Sequence, residues 1–159
     1  MNLRGQRFYF ATLESMLKVK LLRSTAKSPT IAHPGEDLGY DLYAAESITF
    51  APHGGGIVPT GISIELTDAQ GKPMGALIRD RSSMAVRRLI VTAGVIDSGY
   101  RGEIKIVMEN LSGQPQTVNA GDKIANLIPY PVLTGAIEIV EDLTDSSRKA
   151  GGFGSSGKN

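Results

Sequence analysis

The most regular feature of this 159-residue chain is an alternation of apolar and polar positions, broken every few residues by glycine or proline. In Glu103-Ile104-Lys105-Ile106-Val107-Met108-Glu109, Ile104, Ile106 and Met108 fall on one side, with Glu103, Lys105 and Glu109 on the other. Side chains alternate across a strand, so this stretch predicts one buried face and one wet face. Similar stretches predict strands over 16–22, 40–44, 61–66, 75–79, 123–128 and 136–140. One short helix is predicted over 82–88, where a serine can cap Met84-Ala85-Val86. Nineteen glycines and eight prolines leave little room for longer helices. Many short strands with frequent turns predict an all-β sandwich, barrel or jelly roll.

Both ends depart from this pattern. Residues 1–15 carry two arginines and an aromatic cluster but no strand period. An export signal needs a longer apolar centre and a small-residue cleavage site, so these residues read as a disordered extension. Residues 146–159 are rich in Gly and Ser and read, on composition, as a flexible tail. The same tail holds Arg148 and Gly151-Gly152-Phe153-Gly154-Ser155-Ser156-Gly157. Glycines let backbone N–H groups approach an anion, serines donate, and an arginine forks onto phosphate oxygens. Between the ends, residues 16–145 are of ordinary single-domain length.

Composition narrows the functions. Hydrophobic residues make up 41% of the chain, enough for a core. Seventeen basic and sixteen acidic side chains leave a net charge of +1. That provides no global field for nucleic acid or a membrane surface, although a few placed cations can still bind a small anion. No apolar run approaches the roughly 20 residues of a membrane-spanning helix. The chain has no cysteine, which excludes disulfides and thiolate metal sites. With no export signal, a cytoplasmic location is the expectation.

Three segments could carry chemistry, and each has an ordinary structural reading beside the functional one. In Gly94-Val95-Ile96-Asp97-Ser98-Gly99-Tyr100-Arg101-Gly102-Glu103-Ile104, Asp97-Ser98-Gly99 reads as a turn between two apolar strands. A carboxylate at a strand end can also orient a water as general base. Arg81-Ser82-Ser83-Met84-Ala85 places a cation and two hydroxyls at a helix start, where anions are attracted; the plainer reading is an N-cap beside a solvated arginine. Gly39-Tyr40-Asp41-Leu42-Tyr43-Ala44-Ala45 puts one carboxylate inside an apolar strand, where it satisfies a loop or holds a metal-bound water. His33 and His53 lie beside prolines, far from metal-ligand spacing, and read as surface residues.

Taken together, these segments resemble the trimeric dUTPase family, recognised by five ordered motifs. All five are present: GYDLYAA at 39–45, DRSSMA at 80–85, GVIDSGYRGEI at 94–104, GDKIAN at 121–126, and Arg148 with GGFGSSG at 151–157. The resemblance covers nearly everything from Met16 onward. It implies a jelly-roll-like β-barrel subunit and a homotrimer whose three active sites lie at subunit interfaces. The C-terminal arm of one subunit would close over a neighbour's site. The implied reaction is hydrolysis of dUTP to dUMP and pyrophosphate, with water attacking the α-phosphorus. It lowers dUTP, which keeps uracil out of DNA, and supplies dUMP for thymidylate synthesis.

The resemblance also implies roles for residues. Asp97 would hold the attacking water. Tyr100 would stack on the deoxyribose and leave no room for a ribose 2′-hydroxyl. Backbone groups of a hairpin over 91–97, including Val91, Val95 and Ile96, with a return strand near Lys105, would read uracil and exclude thymine's methyl. Arg81, Ser82 and Ser83 would hold the phosphates, and Asn126 the α-phosphate. Arg148 and Ser155 would bind the γ-phosphate, while Phe153, beside Gly154, would cap the base. Asp41 would support Mg²⁺ through water, the triphosphate supplying the direct ligands. Two departures stand out: Asn126 replaces the family's usual glutamine, and Val91 replaces an asparagine that many relatives place on uracil.

Two other readings compete. The related dCTP deaminases need a glutamate ten residues beyond the aspartate. Here that position is Val107, with Glu109 displaced by about 7 Å along the strand. The deaminases also resemble Asp-Pro-Gly followed by tryptophan or phenylalanine, whereas this chain has Asp97-Ser98-Gly99-Tyr100. A non-enzymatic trimer would explain the fold, but not the retained Asp97 and Arg148.

Overall fold

The computed structural model describes residues 16–146. Alternation predicts strands, and strands dominate: β1 (Met16–Leu21), β2 (Tyr40–Tyr43), β3 (Ile48–Phe50), β4 (Gly55–Pro59), β5 (Ile62–Thr67) and β6 (Met74–Asp80) come first. A five-residue helix, α1 (Ser82–Val86), follows. Then come β7 (Leu89–Val91), β8 (Val95–Ile96), β9 (Lys105–Asn110), β10 (Gln116–Val118) and β11 (Lys123–Pro131). Four sheets result, ordered β2-β11-β6-β8, β4-β9-β7, β1-β5 and β3-β10. Every pairing is antiparallel.

One core serves them all. The apolar face of 103–109 is buried as its alternation predicts: Ile104, Ile106 and Met108 are inaccessible. They join Leu42 of β2, Ile62 and Ile64 of β5, Ile78 of β6, Leu89 of β7, and Ile124 and Leu127 of β11 in a single cluster. Truncating one such side chain to alanine costs about 2–5 kcal/mol, a large part of a domain's net stability.

Three expectations need correction. Residues 136–140 form no strand, and Ile137 and Ile139 are 93% and 96% exposed. Alternation defines two faces, but a strand also needs a partner for its backbone groups, and among the described residues this segment has none. The helix stops at Val86, and its N-cap is Arg81, which makes no side-chain capping bond. The serines therefore stand inside the first turn, where a hydroxyl cannot serve as N-cap. Finally, 91–97 is not a hairpin. β7 pairs with β9 and β8 with β6, so the chain passes from one sheet to another between them. Strands β3, β4, β7, β8 and β10 went unpredicted; four have two or three residues, too few to show a period, and β4 opens with Gly55-Gly56.

Candidate active site

β6 is the element that positions the chemistry. At its end the chain bends into α1, leaving Ser82 and Ser83 exposed and Arg81 half-buried. In the same sheet Asn126 of β11 stands opposite Asp41 of β2 on one side and Arg79 of β6 on the other. Residues directly opposite in a sheet share a face, so Asp41, Asn126 and Arg79 lie side by side. They line, with Arg81, Ser82 and Ser83, a cleft of about 670 Å³.

The charges of this cleft are tied together. Asp41 is 8% exposed, and its two oxygens take different cations: Arg81 Nη1 pairs with Oδ1, and Lys123 Nζ lies 2.8 Å from Oδ2. A buried carboxylate requires such partners, because desolvation alone would penalise its charged form. Among the described residues, Arg81 Nε is buried without an acceptor. The cleft holds Arg81 and Lys123 already gathered on Asp41, an arrangement suited to an incoming oxyanion.

Lys123 was not among the expected site residues. Three positions before Asn126, simple alternation would put it on the opposite face. A register shift between Lys123 and Ala125 inserts an extra residue, and such a bulge re-aims a side chain. His33 and Asp37 border the same cleft. Asp37 accepts the backbone N–H groups of Ala32 (3.0 Å) and His33 (2.8 Å). Chiefly through the His33 N–H, this holds its carboxyl below the usual carboxylate range. His33 and His53 are exposed, as expected.

Asp97 lies elsewhere. Ile96 pairs with Ala76 on β6, five residues before Arg81, so about 17 Å of strand separates the two regions. Asp97-Ser98-Gly99 forms the expected turn, with the Tyr100 N–H donating to Asp97 O at 3.0 Å. Arg101 fastens it: Nη1 donates to Ser98 O (2.8 Å) and Tyr100 O (3.0 Å), while Ser63 Oγ donates to Arg101 O (2.7 Å). Nη2 lies 3.5 Å from Glu65, whose carboxyl is held below its usual range first by a hydrogen bond from Lys18. The Tyr100 ring lies over Gly102, where any Cβ would strike it, and its hydroxyl donates to Glu103 O at 3.0 Å. Asp97 is exposed, and the pocket it borders, beside Ile96 and Tyr100, holds only about 10 Å³.

Residues 91–97 connect two sheets. Val91 faces Met108 on β9, and Thr92 N–H donates to Val107 O at 3.1 Å. Gly94 O then accepts the Ile78 N–H at 2.7 Å, so close that a Cβ at Gly94 would meet Ile78 O. Val95 is 75% exposed and Ile96 half-buried. Lys105 is exposed at the start of β9, 3.9 Å from Glu103, in a hollow apart from both regions. Val107 is half-buried on the face opposite Ile106 and Met108, and the Glu109 carboxylate lies over Gly55 on β4. Arg148, Phe153, Gly154 and Ser155 lie outside the described residues.

Among the described residues, no three His, Cys, Asp or Glu side chains gather to hold a metal. Asp41 alone, with a cation on each oxygen, is no cage. Its chemistry fits a hydrated cation that arrives with its own anionic ligands, since a carboxylate oxygen keeps a second lone pair for a water.

Known proteins resemble this chain in sequence and fold. The dUTPase family model matches residues 24–157. A deoxyuridine 5'-triphosphate nucleotidohydrolase of Solibacter usitatus is 41% identical over 149 residues, covering 89% of this chain and 96% of that protein. One from Candida albicans is 42% identical over 150 residues, covering 90% and 89%. The solved dUTPase of Staphylococcus bacteriophage 80alpha with dUPNHPP superposes with a TM-score of 0.81 at 26% identity, covering 90% of this chain and 99% of that one.

Proposed function

The chain belongs to the dUTPase family, and on that premise we propose that it hydrolyses dUTP to dUMP and pyrophosphate. The observation that carries this reading, within the family, is the cleft in which Asp41, Arg81, Ser82, Ser83 and Asn126 converge. A triphosphate entering it competes with Asp41 for Arg81 and Lys123, while the serine hydroxyls and the Asn126 amide donate to phosphate oxygens. The helix contributes little here, because five residues make only a small dipole.

Asp97 accepts a proton from the water that attacks the α-phosphorus, and pyrophosphate leaves in line. In one chain Asp97 stands about 17 Å of strand from Arg81. The reading therefore assigns them to one site only by way of different subunits. A homotrimer of jelly-roll subunits supplies that geometry, with Arg148, Phe153, Gly154 and Ser155 coming from a third chain to close over γ-phosphate and base. Tyr100 packs on the deoxyribose, and the backbone of 91–97 with Lys105 surrounds uracil. With Arg81 turned to the nucleotide, Asp41 would hold a hydrated Mg²⁺ through water, and the metal would supply neutralisation of phosphate charge. A cytoplasmic enzyme of this kind lowers dUTP and supplies dUMP. The described residues contain no helix long and apolar enough to cross a membrane.

The apolar Val107 and the placement of Glu109 over Gly55 argue against deamination. The test is pyrophosphate and ammonia release from dUTP and dCTP, with and without Mg²⁺. Pyrophosphate from dUTP alone, lost on chelation, is expected. Ammonia from dCTP, or no turnover of dUTP, overturns the reading.

A further inference from the structure

Asp80 ends β6 immediately before the phosphate-binding turn, and its side chain does not join the ion pairs of the cleft it borders. Instead Oδ1 accepts the backbone N–H of Val91 at 2.5 Å. Val91 is the last residue of β7 before the chain leaves the β4-β9-β7 sheet for the β6 edge of the other. Further along, among the described residues, the crossing is held by backbone bonds: Thr92 N–H to Val107 O, Ile78 N–H to Gly94 O, and the pairing of Ile96 with Ala76. At the start of the crossing, the bond from Asp80 to Val91 is a direct side-chain link between the two sheets.

We infer that Asp80 is a positioning residue for base selection, holding the 91–97 segment at the spacing that admits uracil and excludes a 5-methyl group. The inference rests on the proposed reading of 91–97 as the base-reading segment. Val91 brings no polar side chain to the base, and its N–H is committed to Asp80. Discrimination must therefore come from the shape of the crossing and its remaining backbone groups. A slot rejects one methyl group only if its walls do not yield. Excluding a methyl is worth about 10–200-fold in the ratio of kcat/KM values, and a loosened wall forfeits it. Asp80 acts here as an acceptor, not as a charge, so an amide oxygen at the same place should serve equally.

The experiment compares kcat/KM for dUTP and dTTP in the wild-type protein, Asp80→Ala and Asp80→Asn, and follows exchange of the Val91 amide proton by NMR. Asp80→Ala is expected to lower the dUTP-to-dTTP ratio at least 10-fold and to speed Val91 exchange. Asp80→Asn is expected to keep both close to wild type. A purely structural role would lower the melting temperature and leave the ratio untouched. The proposal is overturned by an unchanged ratio in Asp80→Ala, or by equal loss in both variants, which would make the charge responsible. Because Asp80 is exposed, its alanine variant should fold; if it does not, the ratio and amide exchange of Asp80→Asn and Asp80→Ser decide. A wild-type protein without preference for dUTP over dTTP overturns the base-reading assignment itself, and this inference with it.

Discussion

The cleft at the end of β6 and the turn beyond β8 are built by opposite strategies. In the cleft, Asp41 of β2 is buried and both its oxygens are paired, with partners from β11 and the bend after β6. In the turn, Asp97 is exposed, and the order around it comes from Arg101 gripping two carbonyls. Buried charge is costly to leave unpaired, so the cleft is organised before any ligand arrives. An exposed carboxylate costs nothing to hold but has no walls around it, and excluding water from it falls to whatever packs there. A single chain thus carries a prepared cleft and a bare carboxylate. Under the proposed function, a second chain would join them.

Asp97→Asn strikes at the reactive group and should show the largest effect. Turnover of dUTP is expected to fall on the order of 10²–10⁴-fold, the usual share of a general base, while calorimetry shows nucleotide still bound. Near-normal turnover would remove Asp97 from the mechanism.

Arg81→Ala strikes at the prepared surface. It removes a phosphate donor and leaves Asp41 with Lys123 alone. We expect kcat/KM to fall about 100-fold, the effect of losing one preorganised donor. Stability should also fall by about 1–3 kcal/mol in denaturant melts, because a mostly buried charge loses a partner. Refolding Arg81→Ala together with Asp97→Asn then tests the division between chains. Mixed trimers should regain activity, since some sites receive an intact Arg81 and an intact Asp97. No recovery, with both parents still assembling, would place both residues in one chain's site.

Arg101→Ala loosens the turn without touching its carboxylate. A decrease in kcat of about 10-fold is expected with little change in KM, since small displacements of a reacting group are costly. Arg101→Lys should recover part of it. A change confined to KM would contradict a positioning role.

The smallest effect is a pH response at the rim of the cleft. The carboxyl of Asp37 sits below its usual range because the His33 N–H stabilises its charged form. The order it gives to 32–37 is present above the unfolded carboxylate value, near pH 4, and is lost as pH falls through the lower folded value. Amide shifts of Ala32 and His33 should report a transition below pH 4 that disappears in Asp37→Asn. A midpoint at or above pH 4 would contradict this coupling.

Local chemistry was legible where it repeats or where backbone angles are special. The alternation of 103–109 gave β9 and its buried face, and Asp97-Ser98-Gly99 gave a turn. The order of the five motifs identified the family, and four of them lie within the described residues. The single sequence could not show that 136–140 lacks a partner strand among the described residues, because alternation describes faces and not neighbours. Nor could it show that 91–97 leaves one sheet for another, since β7 and β8 are too short to carry a period.

What the sequence determined by itself was therefore the class of fold, the family and the residue types available for chemistry. These depend on side-chain pattern and on the order of residues along the chain. The tertiary structure alone decided which charges meet. Lys123 reaches Asp41 because a bulge in β11 turns it onto that face, and Asp80 reaches Val91 because two sheets approach there. Asp97 and Arg81 stay apart because the pairing of Ile96 with Ala76 fixes their separation along β6. Such contacts arise from strand register, a property of the pairing between segments that no one segment contains.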